Sequence, residues 1–533
     1  MSILHRYSRR DFETHYAAGH WTKDHLLDTI AGYAAEDPDF PAVIDGAYRV
    51  SRKELLELVD RAVSSFRSEG IGPGDIVAVQ LPNSLHIVVA ALALLRIGAV
   101  FHTLNPSYRF ADVAKIFGRS RPKFYVYTRV FRGFEYQPLV DALGNEGGFA
   151  FRSRLLDIDL PLDAQLASKA APASDLPPPD RDAIYLLGTT SGSTGDPKLY
   201  MHTQNTQFNE ARTLNREMGI DHRDVFLAFA PMTHRGVFMW GFMQALAAGA
   251  PLVLERLYDP KVLMRTIDRE RVTSLFAIPT QVVDMLDACR NGHGAGHSLR
   301  VVMMAGAPVQ PELVARIKQV WPHCAPVTGF GTSETGYAVI TRPSYSLERL
   351  QTCGCPLDGM EVRVDQVAGG DDPTGELLLR GAFLSAGYYD DQQATYAAYD
   401  KDGWFRTGDL GHLDAEGNVI VTGRIKNVII RSGLKIQAEE IEHILLRHPA
   451  VAQAIIVGIP DAQVGERAVA CVVAKDRSGE LRLEDITAFL ETHGIAKFKW
   501  PEQLAVLDEL PMNAVGKFDR IGMRKQLVGM RAP

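Results

Sequence analysis

Apolar residues recur at helical spacing over 52–69 (Leu55, Leu56, Val59, Val63, Phe66), and a glycine-rich turn at 70–75 leads into an apolar run at 76–79. The alternation repeats. A helix is predicted over 85–97, a strand around Val100, a helix over 110–117 and a strand over 124–127. Further short apolar runs at 183–187, 225–229, 251–254, 275–278 and 300–304 read as strands. Alternation of this kind predicts parallel-rich sheets flanked by helices, with ligand sites at the carboxyl ends of strands, where 188–198 and 305–308 fall. From about Pro356 the strands shorten and turns tighten, as at 369–372, which predicts a β-rich subdomain. The last stretch, from 426, reads as a separate small α+β unit with helices over 439–447 and 484–492 and strands at 454–457 and 469–473. The expected organisation is a large α/β N-terminal domain, 1–425, and a small mobile C-terminal domain, 426–533.

A length of 533 residues fits two to four structural units, and 46% hydrophobic with 23% charged residues is the composition of a soluble globular protein. The net charge of −7 argues against a nucleic-acid binder. The N-terminus mixes Arg6, Arg9 and Arg10 with Asp11 and Glu13 and does not read as a secretory signal. The apolar run 87–95 is nine residues long, well short of the roughly 20 that span a bilayer. Residues 236–254 are interrupted by Gly241, Gln244, Gly249 and Pro251 and read as a helix followed by a buried strand. A Pro-rich stretch, 172–179, reads as a surface connection. Five cysteines without C-x-x-C spacing are expected to be reduced thiols of a cytoplasmic protein.

Chemistry concentrates in a few segments. The loop 189–198, Thr-Thr-Ser-Gly-Ser-Thr-Gly-Asp-Pro-Lys, combines five hydroxyls, two glycines and Lys198. Glycine lets backbone amides approach a ligand, hydroxyls donate to phosphate oxygens and lysine adds a mobile charge, so the loop is suited to a polyphosphate. It is not a Walker loop, because Lys198 follows Pro197. The turn 305–308, Ala-Gly-Ala-Pro, offers a flat surface to a ring or is merely a tight turn. The segment 329–335 places Phe330, three hydroxyls and Glu334 together; a carboxylate beside phosphates needs a cation between them, which suggests magnesium. Asp409 ends a Gly-Trp-Phe-Arg-Thr-Gly-Asp segment and suits a ribose diol or caps a turn. Gly423-Arg424-Ile425-Lys426 and a late loop ending at Lys517 read alone as a charged linker and a surface charge.

In this order the six segments resemble the adenylate-forming superfamily, which comprises acyl- and aryl-CoA ligases, luciferases and peptide-synthetase adenylation domains. The resemblance runs from about residue 20 to the C-terminus. It implies that Thr190, Ser191, Gly192, Ser193, Thr194, Gly195 and Lys198 grip the β- and γ-phosphates of ATP. Phe330 would stack on adenine, with Gly331 beside it and Gly306, Ala307 and Pro308 lining the same pocket. Ser333 would touch the α-phosphate, Glu334 would hold Mg2+, and Asp409 with Arg424 would bind the ribose. Lys517 would reach between the carboxylate and the α-phosphate, Lys426 would be the hinge of the small domain, and Gly433 would line a pantetheine tunnel. His234 would gate the acyl site or be an ordinary interior histidine.

The reaction implied is acid plus ATP to acyl-adenylate and pyrophosphate, then transfer to the thiol of CoA. A carrier-protein pantetheine or an amine is the alternative acceptor. A non-catalytic nucleotide binder is disfavoured by Lys517, Glu334 and Asp409 together, and nothing favours a luciferase-like oxygenase. No nucleic acid or membrane partner is expected, and a homodimer is left open. Leu199, the opening 15–21, and segments 423–426, 438–442 and 494–499 resemble the stand-alone aryl-acid adenylating branch. That branch carries an asparagine after Pro231-Met232-Thr233-His234, where this chain has Arg235. A buried guanidinium wants an anionic partner, so Arg235 is expected either to contact the acid or to sit in a structural ion pair.

Overall fold

The computed structural model describes residues 6–167, 176, 178–190, 197–307, 309–366, 373–431, 434–461, 463–475, 481–512 and 517–529. The chain forms two compact units, Met1–Glu361 with Leu379–Phe405, and Val362–Leu378 with Arg406–Pro533. Compactness thus groups 406–425 with the C-terminal unit. The expected boundary after residue 425 concerns a hinge, and is taken up below as a proposal.

The first unit is built on two sheets. In a nine-stranded sheet, Pro41–Asp45, Leu252–Leu254, Phe226–Ala228, Ser274–Ala277, Val301–Met304 and Ala325–Phe330 lie side by side in parallel. These strands are almost wholly buried, which is why they read as unbroken apolar runs instead of alternating ones. Helices Pro260–Glu270, Pro279–Arg290 and Pro311–Val320 each begin with proline at the first turn, where its missing N–H has no role. Their Leu263, Ile267, Val282, Met285, Val314 and Ile317 are buried in one cluster with the strands. Each such side chain contributes roughly 1.5–3 kcal/mol of burial free energy.

The second sheet has six strands in the order Lys198–Thr203, Ile184–Thr190, Val100–Thr103, Ile76–Gln80, Phe124–Tyr127 and Arg152–Leu155. All neighbours are parallel except the first pair, a hairpin in which Lys198 stands opposite Thr190. The hydroxyl-rich loop therefore begins at the carboxyl end of a parallel strand but returns at once as an antiparallel partner. Helix Leu85–Ile97 is buried throughout except at Arg96 and ends on Gly98 in the left-handed region. Among the described residues no helix is long and apolar enough to cross a membrane. The stretch read as one helix before Leu252–Leu254 is a short α-turn, Arg235–Val237, a π-helix, Phe238–Met243, and an α-segment, Gln244–Ala248.

The second unit centres on a five-stranded sheet, with Gly465–Ala474 between Val451–Asp461 on one side and Val428–Arg431 and Gln503–Leu507 on the other. Along Gly465–Ala474 the side chains alternate between two cores: Ala468, Ala470 and Val472 in one, Val469 and Cys471 in the other. Helices Ala438–Leu445 and Leu483–Thr492 cover the first face, and Met523 of Arg520–Gly529 packs into the second. The unit is α+β, as expected. The turn at 369–372 and most of the Pro-rich stretch lie outside the described residues. The five cysteines form no disulfide; Cys324 and Cys471 are buried, and Cys289, Cys353 and Cys355 half-buried.

Candidate active site

In the first unit the candidate residues gather at strand ends. Thr190 closes one strand and Lys198 opens its partner; Ser191, Gly192, Ser193, Thr194 and Gly195 between them lie outside the described residues. Gly306 (φ 86°) and Ala307 are exposed just past Val301–Met304, and Pro308 lies outside the described residues. Phe330 ends the neighbouring strand, 8% exposed, and the chain turns at 331–335. Glycine at 331 is required there, because a Cβ would stand 1.7 Å from the Gly336 carbonyl oxygen.

That turn is held from behind. Buried His202 contacts the Ser333 carbonyl oxygen through Nε2 at 2.9 Å and the Thr206 hydroxyl through Nδ1 at 3.1 Å. Burial, then the positive charge of Arg235, pushes His202 well below the ordinary histidine range, so the ring is neutral and Nε2–H donates to the carbonyl. Glu334 is 8% exposed, and its Oε1 accepts a hydrogen bond from the Tyr388 hydroxyl at 2.7 Å. The face of Tyr388 in turn lies 5.0 Å from Lys198 Nζ.

His234 is half-buried and caps the turn at Arg235, its Nδ1 accepting from the Gly236 amide at 3.3 Å. Arg235, 3% exposed, is paired with fully buried Glu210, which also accepts from the Tyr337 amide at 2.9 Å. Of the two expectations for Arg235, the ion pair is the one found. Its Nε and Nη1 are buried without a hydrogen-bond partner among the described residues. Burial pushes the Glu210 carboxyl up, and Arg235 and the amide hold it down.

The second unit carries its own cluster. Asp409 lies inside strand Phe405–Leu413, not at a turn, and is paired in register with Arg424 of Val419–Arg424. Arg424 Nε donates to Asp409 Oδ1 at 2.5 Å. Lys426 follows in a 3-10 turn, Ile425–Asn427, so the supposed linker is ordered structure. Burial raises the Asp409 carboxyl above its usual range, while Arg424, Lys517 and Lys426 pull it down. Lys517 and Lys426 are both held below the usual lysine range, first by lost hydration and next by Arg424, with Asp409 opposing. Arg424, Lys426 and Lys517 thus all act on the buried Asp409 carboxylate, and Glu439 acts on Lys426 as well. Gly433 lies outside the described residues.

The pattern missed His202, Glu210 and Tyr388. All three stand outside the recognised motifs, and their partners, Ser333, Arg235 and Glu334, lie far off in the chain, so only folding reveals them.

A parallel α/β core with a hydroxyl-rich hairpin at a strand end, a separate lysine-bearing small unit and this motif order define an adenylate-forming enzyme. The model of the AMP-binding enzymes matches residues 31–389, and that of their C-terminal domain residues 440–517. The chain belongs to the AMP-binding enzyme family. It is 33% identical to 2-hydroxy-7-methoxy-5-methyl-1-naphthoate–CoA ligase of Streptomyces carzinostaticus, over 95% of this chain and 94% of that one. It is 32% identical to the salicyl-AMP ligase / salicyl-S-ArCP synthetase of Mycobacterium tuberculosis, over 96% and 92%. Among solved structures, o-succinylbenzoate CoA synthetase from Bacillus subtilis, in complex with its acyl-adenylate intermediate, superposes with a TM-score of 0.80 at 25% identity, covering 94% of this chain and 97% of that one.

Proposed function

We propose that the protein is an ATP-dependent, AMP-forming ligase that joins a carboxylic acid to the thiol of CoA through an acyl-adenylate. The observation that carries the reading is that each unit holds a charge cluster of its own design: Lys198–Tyr388–Glu334 in one, and Asp409 among Arg424, Lys426 and Lys517 in the other. The similarity to an aryl-CoA ligase and to a salicyl-AMP ligase supports an aromatic acid as the substrate class.

The chemistry brings two anions together, a carboxylate and an α-phosphate, and the site's task is to neutralise both without blocking in-line attack. The acid is already ionised near neutral pH, so little proton transfer is required. Among the described residues no cluster of three or more metal-ligating side chains exists. Glu334 would hold Mg2+, a hard cation that takes oxygen ligands and is usually bound through one or two carboxylates. When bound, it would supply charge neutralisation to the polyphosphate. On this reading Thr190, Lys198 and the loop between them hold the β- and γ-phosphates, Phe330 stacks on adenine beside Gly306 and Ala307, and Ser333 meets the α-phosphate. Asp409 and Arg424 take the ribose, and Lys517 serves adenylation. The C-terminal domain, pivoting at Lys426, brings a second surface to the intermediate for thiol attack.

The test is to incubate the enzyme with ATP, MgCl2 and a panel of aryl, alicyclic and fatty acids, adding CoA, an aryl carrier protein or an amine in parallel. The expected product is an acyl-CoA together with AMP, identified by mass. Acylated carrier protein or amide in the absence of acyl-CoA would reassign the acceptor. That second outcome has support in the salicyl-S-ArCP synthetase relative.

A further inference from the structure

Residues 385–389 form a strap that touches both the strand that starts at Lys198 and the turn that carries Glu334. Along one side they run antiparallel to the strand that starts at Lys198. The Ala386 amide donates to the Met201 carbonyl at 2.7 Å, the Met201 amide to the Gly387 carbonyl at 3.0 Å and the Tyr389 amide to the Leu199 carbonyl at 2.8 Å. At its start, the Ser385 amide donates to the carbonyl oxygen of Glu334 at 2.5 Å. The Tyr388 amide is held by Thr395 Oγ1 at 2.9 Å. The backbone of Tyr388 is thus fixed independently of its side chain.

The side chain uses that fixed origin to reach two charges of opposite sign. Its hydroxyl donates to Glu334 Oε1 at 2.7 Å and its ring face lies 5.0 Å from the Lys198 ammonium. Tyr388 and Glu334 are 7% and 8% exposed, so both contacts are made in a poorly hydrated setting, where hydrogen bonds to charged groups and cation–π contacts strengthen. The phenol is the donor of the bond to Glu334, since a carboxylate oxygen only accepts. Oε1 is thereby occupied, while Oε2 accepts no hydrogen bond from the described residues. A tyrosine that merely satisfied its hydroxyl in a core would need neither the carboxylate as acceptor nor the lysine over its face.

We propose that Tyr388 is a positioning residue for the nucleotide: it orients the Glu334 carboxylate towards a divalent cation and steadies the Lys198 ammonium for the polyphosphate, so that cation and phosphate recognition are coupled through one side chain. This rests on the adenylating reading above. It concerns the ground-state binding of metal–nucleotide, which can be measured without turnover.

The experiment is equilibrium titration of ATP by calorimetry on the full chain, with EDTA and over a series of MgCl2 concentrations, for wild type, Tyr388→Phe and Tyr388→Leu, alongside thermal unfolding. Tyr388→Phe keeps the ring and loses the donor. Its metal-free ATP affinity should stay within about twofold of wild type, while the half-saturating Mg2+ concentration rises about tenfold. Tyr388→Leu should in addition weaken metal-free ATP binding by about threefold through loss of the ring beneath Lys198. In a Glu334→Gln background, Tyr388→Phe should bring no further shift in Mg2+ dependence. An unchanged Mg2+ dependence in Tyr388→Phe, or equal weakening with and without Mg2+ that tracks the melting temperature, would overturn the proposal. If Tyr388→Leu fails to fold, the comparison of Tyr388→Phe with the Glu334→Gln pair decides alone. Absence of ATP binding by the wild type would overturn the adenylating reading itself, and the proposal with it.

Discussion

In the N-terminal unit the charged groups around the 330–335 turn have fixed partners: Glu334 has Tyr388, Lys198 has the face of the same ring, and Arg235 has Glu210. In the C-terminal unit Arg424, Lys426 and Lys517 all act on the buried carboxylate of Asp409, Glu439 acts on Lys426 as well, and both lysines are held below their normal range. The first arrangement is close to neutral and pre-set. The second has a surplus of positive charge that a nucleotide's anionic groups would relieve. A preorganised cradle suits the polyphosphate, which departs as pyrophosphate after adenylation, while a cluster crowded with cations suits a surface whose lysine serves that step and is withdrawn before thiol attack. The contrast makes distinct demands on mutants of the two units.

The largest effect is expected at Lys517. Lys517→Ala should lower acid-dependent adenylation by about 10^3-fold, the scale of removing one well-placed charge-stabilising donor, and leave thiolysis of pre-formed acyl-adenylate within about twofold. Stopped assays of the two half-reactions check this, and an equal fall in both would erase the functional contrast between the units.

Next comes the buried pair in the first unit. Arg235→Ala leaves the Glu210 carboxylate buried without its cation and should cost about 3–5 kcal/mol of stability, read from urea unfolding. Glu210 already has its carboxyl pushed up by burial, so Arg235→Ala should also recover part of its stability at low pH, where Glu210 protonates. Stability within 1 kcal/mol of wild type would mean that this unit's charges are not locked as described.

The smallest effect is pH-dependent. Burial holds His102 at about 4, against an ordinary value near 6.5. Between those values the unfolded chain binds a proton that the folded chain refuses. The contribution is therefore constant above about pH 6.5 and is lost as pH falls toward 4, at up to about 1.4 kcal/mol per pH unit. His102→Asn should remove that slope from the stability curve in this window. An unaltered slope would place the acid sensitivity elsewhere.

Much of this architecture was legible in the chain. The helix Leu85–Ile97 and the strand Phe124–Tyr127 have the bounds that the apolar pattern predicts, because a glycine cap and turn residues mark their ends. The π-helix Phe238–Met243 was not legible, since all six of its residues are buried and carry no period that distinguishes it from an α-helix. The hairpin return at Lys198 was missed for a related reason: a buried strand shows no direction in its pattern. Asp409 looked like a turn residue because its flanking Thr407-Gly408 has turn composition, yet Arg424 across the ladder gives it a partner within the strand. The contacts of His202 with Ser333 and of Tyr388 with Glu334 span 131 and 54 residues, distances at which local patterns carry no information.

The central claim is that this chain activates a carboxylate by adenylation. Acid-dependent exchange of labelled pyrophosphate into ATP, run on the full chain with Mg2+ and no acceptor across the acid panel, tests it most directly. Exchange is expected with at least one aromatic acid, abolished in Lys517→Ala and independent of CoA. No exchange above the acid-free background with any acid, from an enzyme that binds ATP, would contradict it.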